Sequence, residues 1–265
     1  MGWNLLWIVF VACLLACSIG FKKFVWFMSI GYGLGVAAGG LAILCIFLSK
    51  LHWLNIFQCA VLIFYGVRLA YFLWSRERNS KAYNEAMKGV SDSTVPMPVM
   101  IAMWIFMGAL YTMQVSPVFY RLYNGSTDIT VPLIGALISL AGACIEAMAD
   151  KQKSEQKKKN PGKVAMEGLF RLCRCPNYFG ELLMWLGVFI GGLTTYHGIG
   201  QWLMAVISFI AICGIMFNGA QRLEKRQSER YGDDPEFNRY CDTTPIIIPF
   251  VPLYHLNKKE GNGQS

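Results

Sequence analysis

Charge is scarce in this sequence: only 15% of its 265 residues are Asp, Glu, Lys or Arg, against 55% hydrophobic. A soluble domain carries about 25% charged residues, which excludes an ordinary water-soluble fold and leaves a polytopic membrane protein. Histidine is scarcer still, with three in the chain. His52 and His197 lie at the ends of apolar runs without metal-ligand companions and are read as interfacial. Cys173-x-Cys175 has no second pair and no neighbouring histidine, which does not fit a zinc site. Most other cysteines (Cys13, Cys17, Cys45, Cys59, Cys144, Cys213) fall inside apolar spans as small apolar residues, and no disulfide framework is visible. No basic leader precedes the first apolar run; Lys22 and Lys23 follow it, so Trp3–Gly20 is expected to be a retained first span. The second span, Phe24–Leu48, has no acidic residue at all.

What is there is a series of apolar segments near the roughly 20 residues that a spanning helix needs. They are Trp3–Phe21, Phe24–Leu48, Leu51–Trp74, Met97–Phe119, Val131–Ala149, Tyr178–Tyr196 and Gln201–Ala220. The expected fold is all-α: one domain of about seven transmembrane helices over residues 1–256, then a disordered tail at 257–265. Twenty-one Lys and Arg fall in one set of loops, including Lys81 and Lys88 and eight between Lys151 and Arg174; only Lys50 and Arg121 fall in the other. This asymmetry places the N-terminus lumenal or external and the C-terminus cytosolic. It also accounts for the net charge of +8 without nucleic acid, since basic residues cluster at span ends and form no phosphate-tracking stripe. The sequon Asn124-Gly125-Ser126 falls in an outer loop.

Within the spans, Gly31, Gly35 and Gly39 at four-residue spacing make a small-residue face for close helix packing. The spacing is wrong for a dinucleotide fingerprint, and no strand precedes it. Arg68 and Tyr71 share a face that runs on to Arg76 and Arg78, a set suited to lining one cytosolic-side cavity. Glu146 and Asp150, four apart, stack on one helix face that should look into the bundle, because lipid exposure of carboxylates is costly. A structural ion pair and a ligand-binding role are equally open for them. Lys151–Lys163 is expected to be a solvated basic loop. The charged run Arg222–Tyr231 is expected to be helical, with a second short helix after Asp233-Asp234-Pro235-Glu236. Pro245, Pro249 and Pro252 around Ile246–Ile248 make an apolar stretch that cannot be helical, expected on the membrane face.

The most informative stretch runs from Gly168 through Arg171, Arg174, Pro176 and Asn177 to Glu181. Proline at a first helical position is pre-set for a helix start, and Asn177 and Glu181 share a face of the first turns. A helix N-terminus beside arginines suits an anion, and Glu181 puts a carboxylate inside an apolar span. An interfacial anchor, with arginines snorkelling and Pro176 opening a helix, is the other reading of the same residues. Gly168-Leu-Phe-Arg171 through Pro176-Asn-Tyr-Phe-Gly-Glu181 resembles the signature of the steroid 5α-reductase C-terminal family, closest to its uncharacterised branch. Leu223-Glu-Lys-Arg226, Arg230 through Glu236, and Ile248-Pro249 resemble that branch's closing motif. The resemblance is concentrated in about residues 144–252.

The resemblance implies a seven-helix membrane oxidoreductase that reduces a carbon–carbon double bond of a lipid, sterol or isoprenoid enone with NADPH. It implies cofactor binding by Asp150, Asn177 and Glu181, with Glu146 beside them. Arg76, Arg171 and Arg174 would meet phosphate, and Arg222 and Tyr231 are further candidates. Tyr65 and Tyr71 on the third span are the candidate proton donors to the substrate carbonyl. The partners implied are a lipophilic small molecule and membrane lipids, in the endoplasmic reticulum membrane if the source is eukaryotic. Steroid 5α-reductases carry a glutamate in the second helix, which Phe24–Leu48 lacks, so a steroid substrate does not follow. Related methyltransferases use a similar Arg-His-Pro-x-Tyr-x-Gly motif for S-adenosylmethionine, but Cys175 stands where they have histidine. An S-adenosylmethionine-dependent methyltransferase and a non-catalytic lipid-binding scaffold remain the alternatives. The loop charges make one prediction: a C-terminal tag is accessible to antibody when only the plasma membrane is permeabilised. Protection of the tag until internal membranes are opened would reverse the topology.

Overall fold

A computed structural model of the chain describes residues 3–79 and 95–257. Lys81, Lys88 and the expected tail beyond Asn257 lie outside the described residues. Among those described there are eight α-helices and no strand. They are α1 (Trp3–Cys17), α2 (Ile30–Ile46), α3 (Trp53–Asn79), α4 (Met97–Tyr123), α5 (Thr130–Lys159), α6 (Pro176–Gly192), α7 (Gly198–Tyr231) and α8 (Pro235–Thr243). Among the described residues six segments are long and apolar enough to cross a membrane: Asn4–Phe21, Phe24–Ile46 and the helices α3, α4, α5 and α7. The remaining expected span, α6, has 17 residues, about 26 Å at 1.5 Å per residue. The chain is an all-helical, polytopic membrane protein.

Two expectations about boundaries are corrected. The lysine-rich run is not a loop: α5 continues to Lys159. Its Lys, Gln and Glu residues are good helix formers, and extending a helix is far easier than nucleating one. The lysines also stand at the C-terminal, negative end of the helix dipole; the helix gives way at Asn160-Pro161-Gly162. Likewise the last span and the charged run after it are one 34-residue helix, α7. The expected short helix is present as α8, with Pro235 at its first position and the Asp234 carboxylate accepting from Glu236 N at 2.9 Å.

The chain divides into two compact units, residues 1–139 with 186–209, and residues 140–185 with 210–265. In the first, α2 is the central helix, because its glycines let three neighbours approach. A Cβ on Gly33 would lie 2.5 Å from Gly66 O of α3, and one on Gly35 would lie 2.6 Å from the Tyr111 ring of α4. Gly31 meets Trp26 O and Cys17, at the end of α1. The glycine face is thus a packing face. At one end of this unit, Glu77 at the end of α3 accepts from Lys23 Nζ (2.5 Å) and Trp26 Nε1 (2.7 Å), holding the α1–α2 connection. At the other, Arg121 is buried against Asp128 (3.0 Å), whose second carboxylate oxygen accepts from Thr194 at 2.6 Å. One of the two basic residues assigned to the outer loops is therefore neutralised.

The second unit contains the later parts of α5 and α7, the first part of α6, α8, and the segment up to Asn257. Its apolar cluster gathers Cys175, Ala220, Ile246 and Ile247, with Phe179, Leu182 and Phe217 against them. The apolar stretch after α8, expected on the membrane face, is divided instead, with Ile248, Phe250 and Val251 exposed. Its first two isoleucines point into protein.

The sequon has a structural use in the first unit. Asn124 Nδ2 donates to Thr195 O (2.6 Å) and to Gln201 Oε1 (2.8 Å), and Gln201 Oε1 also accepts from His197 N at 2.7 Å. An amide used this way is not an acceptor for glycan transfer. Asn124 is expected to stay unmodified after expression through a secretory pathway, with no mobility shift on glycosidase treatment; a shift would refute this. Asn124→Ala should lower stability by about 1–3 kcal/mol, because it leaves buried partners unsatisfied.

Candidate functional site

The turn before α6 is held on two sides before the helix begins. From α5, Gln152 Oε1 accepts from Leu169 N (2.9 Å), while Gln156 Oε1 accepts from Met166 N (2.9 Å) and Glu167 N (3.0 Å). Gly168 has φ +66, and a Cβ there would strike the Gln152 amide. From α8, the Tyr240 hydroxyl donates to Phe170 O at 2.6 Å. Next, Arg174 N donates to Pro245 O (2.8 Å) and Cys175 N to Ile246 O (2.9 Å). Pro176 then opens α6, already oriented by both neighbours.

Below this turn lies a buried ion pair. Arg174 Nη2 donates to Glu224 Oε1 at 2.8 Å and also to Tyr254 O, and Nη1 reaches Cys241 Sγ at 3.0 Å. The two side chains are only 3% and 4% exposed. Glu224 Oε2 accepts from Leu256 N, Asn257 N and Asn257 Nδ2, each at 2.9 Å. His255 bridges Glu224 (3.2 Å) and Asp242 (2.9 Å). The geometry gives Arg174 a structural task, with both of its Nη atoms donating to protein acceptors and the side chain shielded from solvent.

The polar residues of the α5–α6 seam are set by close backbone contact. A Cβ on Gly142 would lie 2.6 Å from Gly180 O and 2.8 Å from Met184 Cα, and one on Gly180 would lie 2.6 Å from Glu146 N. The helices therefore run antiparallel, with 142 against 180–184 and 146 against 180. One more turn along α5 sets Asp150 level with Pro176–Asn177. Glu146 and Glu181 occupy one layer of this seam, and Asp150 and Asn177 the next layer toward the α6 N-terminus. Glu146, Asp150 and Glu181 are buried, and Asn177 is half-buried. Two carboxylates in one layer and a carboxylate with an amide in the next offer acceptors and a donor for hydroxyl and carboxamide groups.

The remaining expected residues are spread out. Arg171 and Arg222 are exposed on the second unit. Tyr231 accepts from Lys157 Nζ at 2.8 Å, with the Arg230 guanidinium 5.4 Å from its ring. Tyr65, Tyr71 and Arg76 belong to the first unit. Tyr65 is fully buried and its hydroxyl donates to the Tyr32 hydroxyl at 3.1 Å, with the Arg68 guanidinium 5.8 Å from its ring. Tyr71 is 66% exposed. Six residues apart on an α-helix, the two tyrosines point about 120° away from each other. Arg76 is half-buried over the Phe72 ring, and exposed Arg78 stacks over Trp74. Of the expected line, Arg68, Tyr71 and Arg78 fall within about 80° of one another around the helix, and Arg76 lies about 80° to the other side of Arg68. Among the described residues no cluster of His, Cys, Asp or Glu suits a metal. Sequence reasoning missed Glu224, Asp242, His255 and Tyr32. Glu224 lies inside the closing motif, which was the available signal.

Residues 19–244 match the family described as "Protein of unknown function (DUF1295)". Over 121 residues the chain is 31% identical to "Steroid 5-alpha-reductase DET2" of Gossypium hirsutum, covering 45% of this chain and 42% of that protein. Over 122 residues it is 30% identical to the Arabidopsis thaliana protein of the same name, covering 45% and 41%. Over 123 residues it is 30% identical to "3-oxo-5-alpha-steroid 4-dehydrogenase 1" of Bos taurus, covering 45% and 42%. The matches thus span less than half the length of these relatives. No solved structure matches the chain.

The thiols around Arg174 report on the integrity of this unit. Burial pushes Cys173 up to about 12 and Cys175 up to about 11, and it raises Cys241 as well. Since the thiolate is the reactive form, all three should resist alkylation at pH 8 until the protein unfolds. The ordinary value is 9.0, so the unfolded chain loses these protons first as pH rises. Their contribution to stability is full below pH 9 and is lost toward pH 11–12. Arg174→Ala strands the Glu224 charge and should destabilise by about 3–5 kcal/mol, opening Cys175 to alkylation. Arg171→Ala should do neither. Equal stability of the two variants in thermal unfolding would contradict the structural role of Arg174.

Proposed function

This chain belongs to the DUF1295 family, with steroid 5-alpha-reductase-like kinship, and from that premise we propose a multi-pass membrane oxidoreductase that reduces a carbon–carbon double bond in a lipophilic enone. The observation that carries the reading is the α5–α6 seam. There Glu146, Asp150 and Glu181 are held within the apolar part of the chain, beside Asn177. Ionisable residues at such depth are costly and retained for function.

The residues fit NADPH. Carboxylates accept from ribose hydroxyls, the Asn177 amide and Glu181 suit the nicotinamide carboxamide, and exposed Arg171 and Arg222 offer charge to phosphates. Arg174 is left out because its side chain is buried and its Nη atoms donate to Glu224, Cys241 and Tyr254. NADPH, when bound, supplies the hydride. The chain's own part is to orient the dinucleotide, exclude water and hold a proton for the carbonyl end of the enone. Tyr65 is the tyrosine suited to that proton, since it is buried and hydrogen-bonded to Tyr32, whereas Tyr71 is largely exposed. Kinship with proteins named steroid 5-alpha-reductases supports a rigid, sterol-like or isoprenoid enone. The loop charges support cofactor entry from the cytosol, at the endoplasmic reticulum in a eukaryotic cell.

The test is binding of NADPH and of S-adenosylmethionine to the purified protein. NADPH is expected to bind. Asn177→Ala and Glu181→Gln should each weaken it about tenfold, the loss of one neutral hydrogen bond in the first and of one charge-assisted bond in the second. Arg171→Ala should weaken NADPH more than NADH. Binding of S-adenosylmethionine without NADPH would overturn the reductase reading in favour of a methyltransferase, and binding of neither would favour a scaffold.

A further inference from the structure

The segment after α8 makes a tight reversal whose tip faces away from protein. Ile246 N donates to Leu253 O at 2.8 Å, closing the base, and Val251 N donates to Ile248 O at 3.3 Å across the turn. At the tip, Phe250 has φ +66, the only positive φ outside glycine among the described residues. A bulky residue holds that conformation only where its surroundings over-determine it. Here they do not include packing of the ring, which is 88% exposed, with Ile248 and Val251 exposed beside it. A hydrophobic ring held outward in a strained backbone is unexplained by the chain's own core.

Three features on the same segment name what would cover it. Eleven charged residues lie between Arg222 and Asp242, yet none lies from Thr243 to Tyr254. Pro249 and Pro252 have no backbone N–H, which lowers the number of donors that an apolar phase would leave unsatisfied. The base of the reversal is bonded through Pro245 and Ile246 to Arg174 and Cys175, the residues directly before α6 begins its apolar run. On the topology expected from the loop charges, that is the level at which the chain passes from water into lipid.

We infer that Ile248–Val251 is a membrane-seated tip, with the Phe250 ring lodged among acyl chains at the interface, a lipid-binding surface separate from the proposed cofactor residues. Its base is rigid because the same segment satisfies Glu224 through Leu256 and Asn257. The tip therefore couples the buried ion pair to the bilayer surface. Phe is among the side chains that bury at the boundary of headgroups and acyl chains in segments lying in the interface.

The experiment places the photocrosslinking analogue p-benzoylphenylalanine at position 250 in the full chain, reconstituted in phosphatidylcholine nanodiscs. A matched sample carries it at Glu229, an exposed position on the charged part of α7. Intact-mass measurement after irradiation should show lipid adducts at 250 in several-fold excess over 229. Cross-linking to a second copy of the chain, or no adduct above the 229 sample, overturns the inference. A second measurement needs no substitution. Hydroxyl-radical footprinting of the unaltered chain in nanodiscs should leave Phe250 unoxidised. Oxidation of Phe250 at the rate of a solvent-exposed ring would overturn the inference equally.

Discussion

The second unit depends on one carboxylate, Glu224. Its oxygens take a guanidinium, two backbone amides, a side-chain amide and an imidazole contact. A buried ion pair seldom adds net stability over an apolar substitute, because both charges lose their hydration. It does exclude alternatives. With Arg174 in place, only a chain path that brings Tyr254 O and the 256–257 amides to one spot satisfies both charges. The pair therefore specifies the return of the C-terminal segment, and that segment, through Pro245 and Ile246, fixes where α6 starts.

The start of α6 matters because the α5–α6 seam has no freedom to slide. Gly142 and Gly180 bring the two backbones into contact, and any larger residue there would separate the helices. Register is set by small residues, and the polar groups inherit it. Glu146 stands beside Gly180 and thus beside Glu181, while Asp150 falls level with Asn177. A shift of one turn would break this pairing: in one direction Asp150 would come level with Glu181 and Glu146 would face Met184. The clamps from Gln152 and Gln156 work in the same direction, tying the turn after α5 back onto α5 itself.

Much of this was legible in the residues. Apolar length marked the spans, the α2 glycines marked a packing face, and Asp234-Pro235 marked the start of α8, because each rests on local chemistry. The failures share a different cause. Lys151–Lys159 looked like a loop by charge, but charge does not stop a helix that is already running; only Asn160-Pro161-Gly162 does. Arg174 and Arg171 look equivalent in the chain, yet a partner fifty residues away buries one and not the other. Ile246 and Ile247 read as lipid-facing for the same reason: their neighbours Cys175 and Ala220 are distant in sequence.

The missing acid of α2 can be weighed in these terms. A carboxylate there would need a buried cation or several donors to hold its charge in an apolar bundle. Tyr32 places a neutral hydroxyl on α2 instead, and it accepts from Tyr65 at 3.1 Å. Tyr111 of α4 packs its ring 5.3 Å from that of Tyr32 and donates its own hydroxyl to Phe27 O. A hydroxyl can both donate and accept, so Tyr65 keeps a hydrogen-bond partner whether its own proton points to Tyr32 or to a ligand carbonyl. In the proposed reaction an acid on α2 is therefore unnecessary for positioning Tyr65.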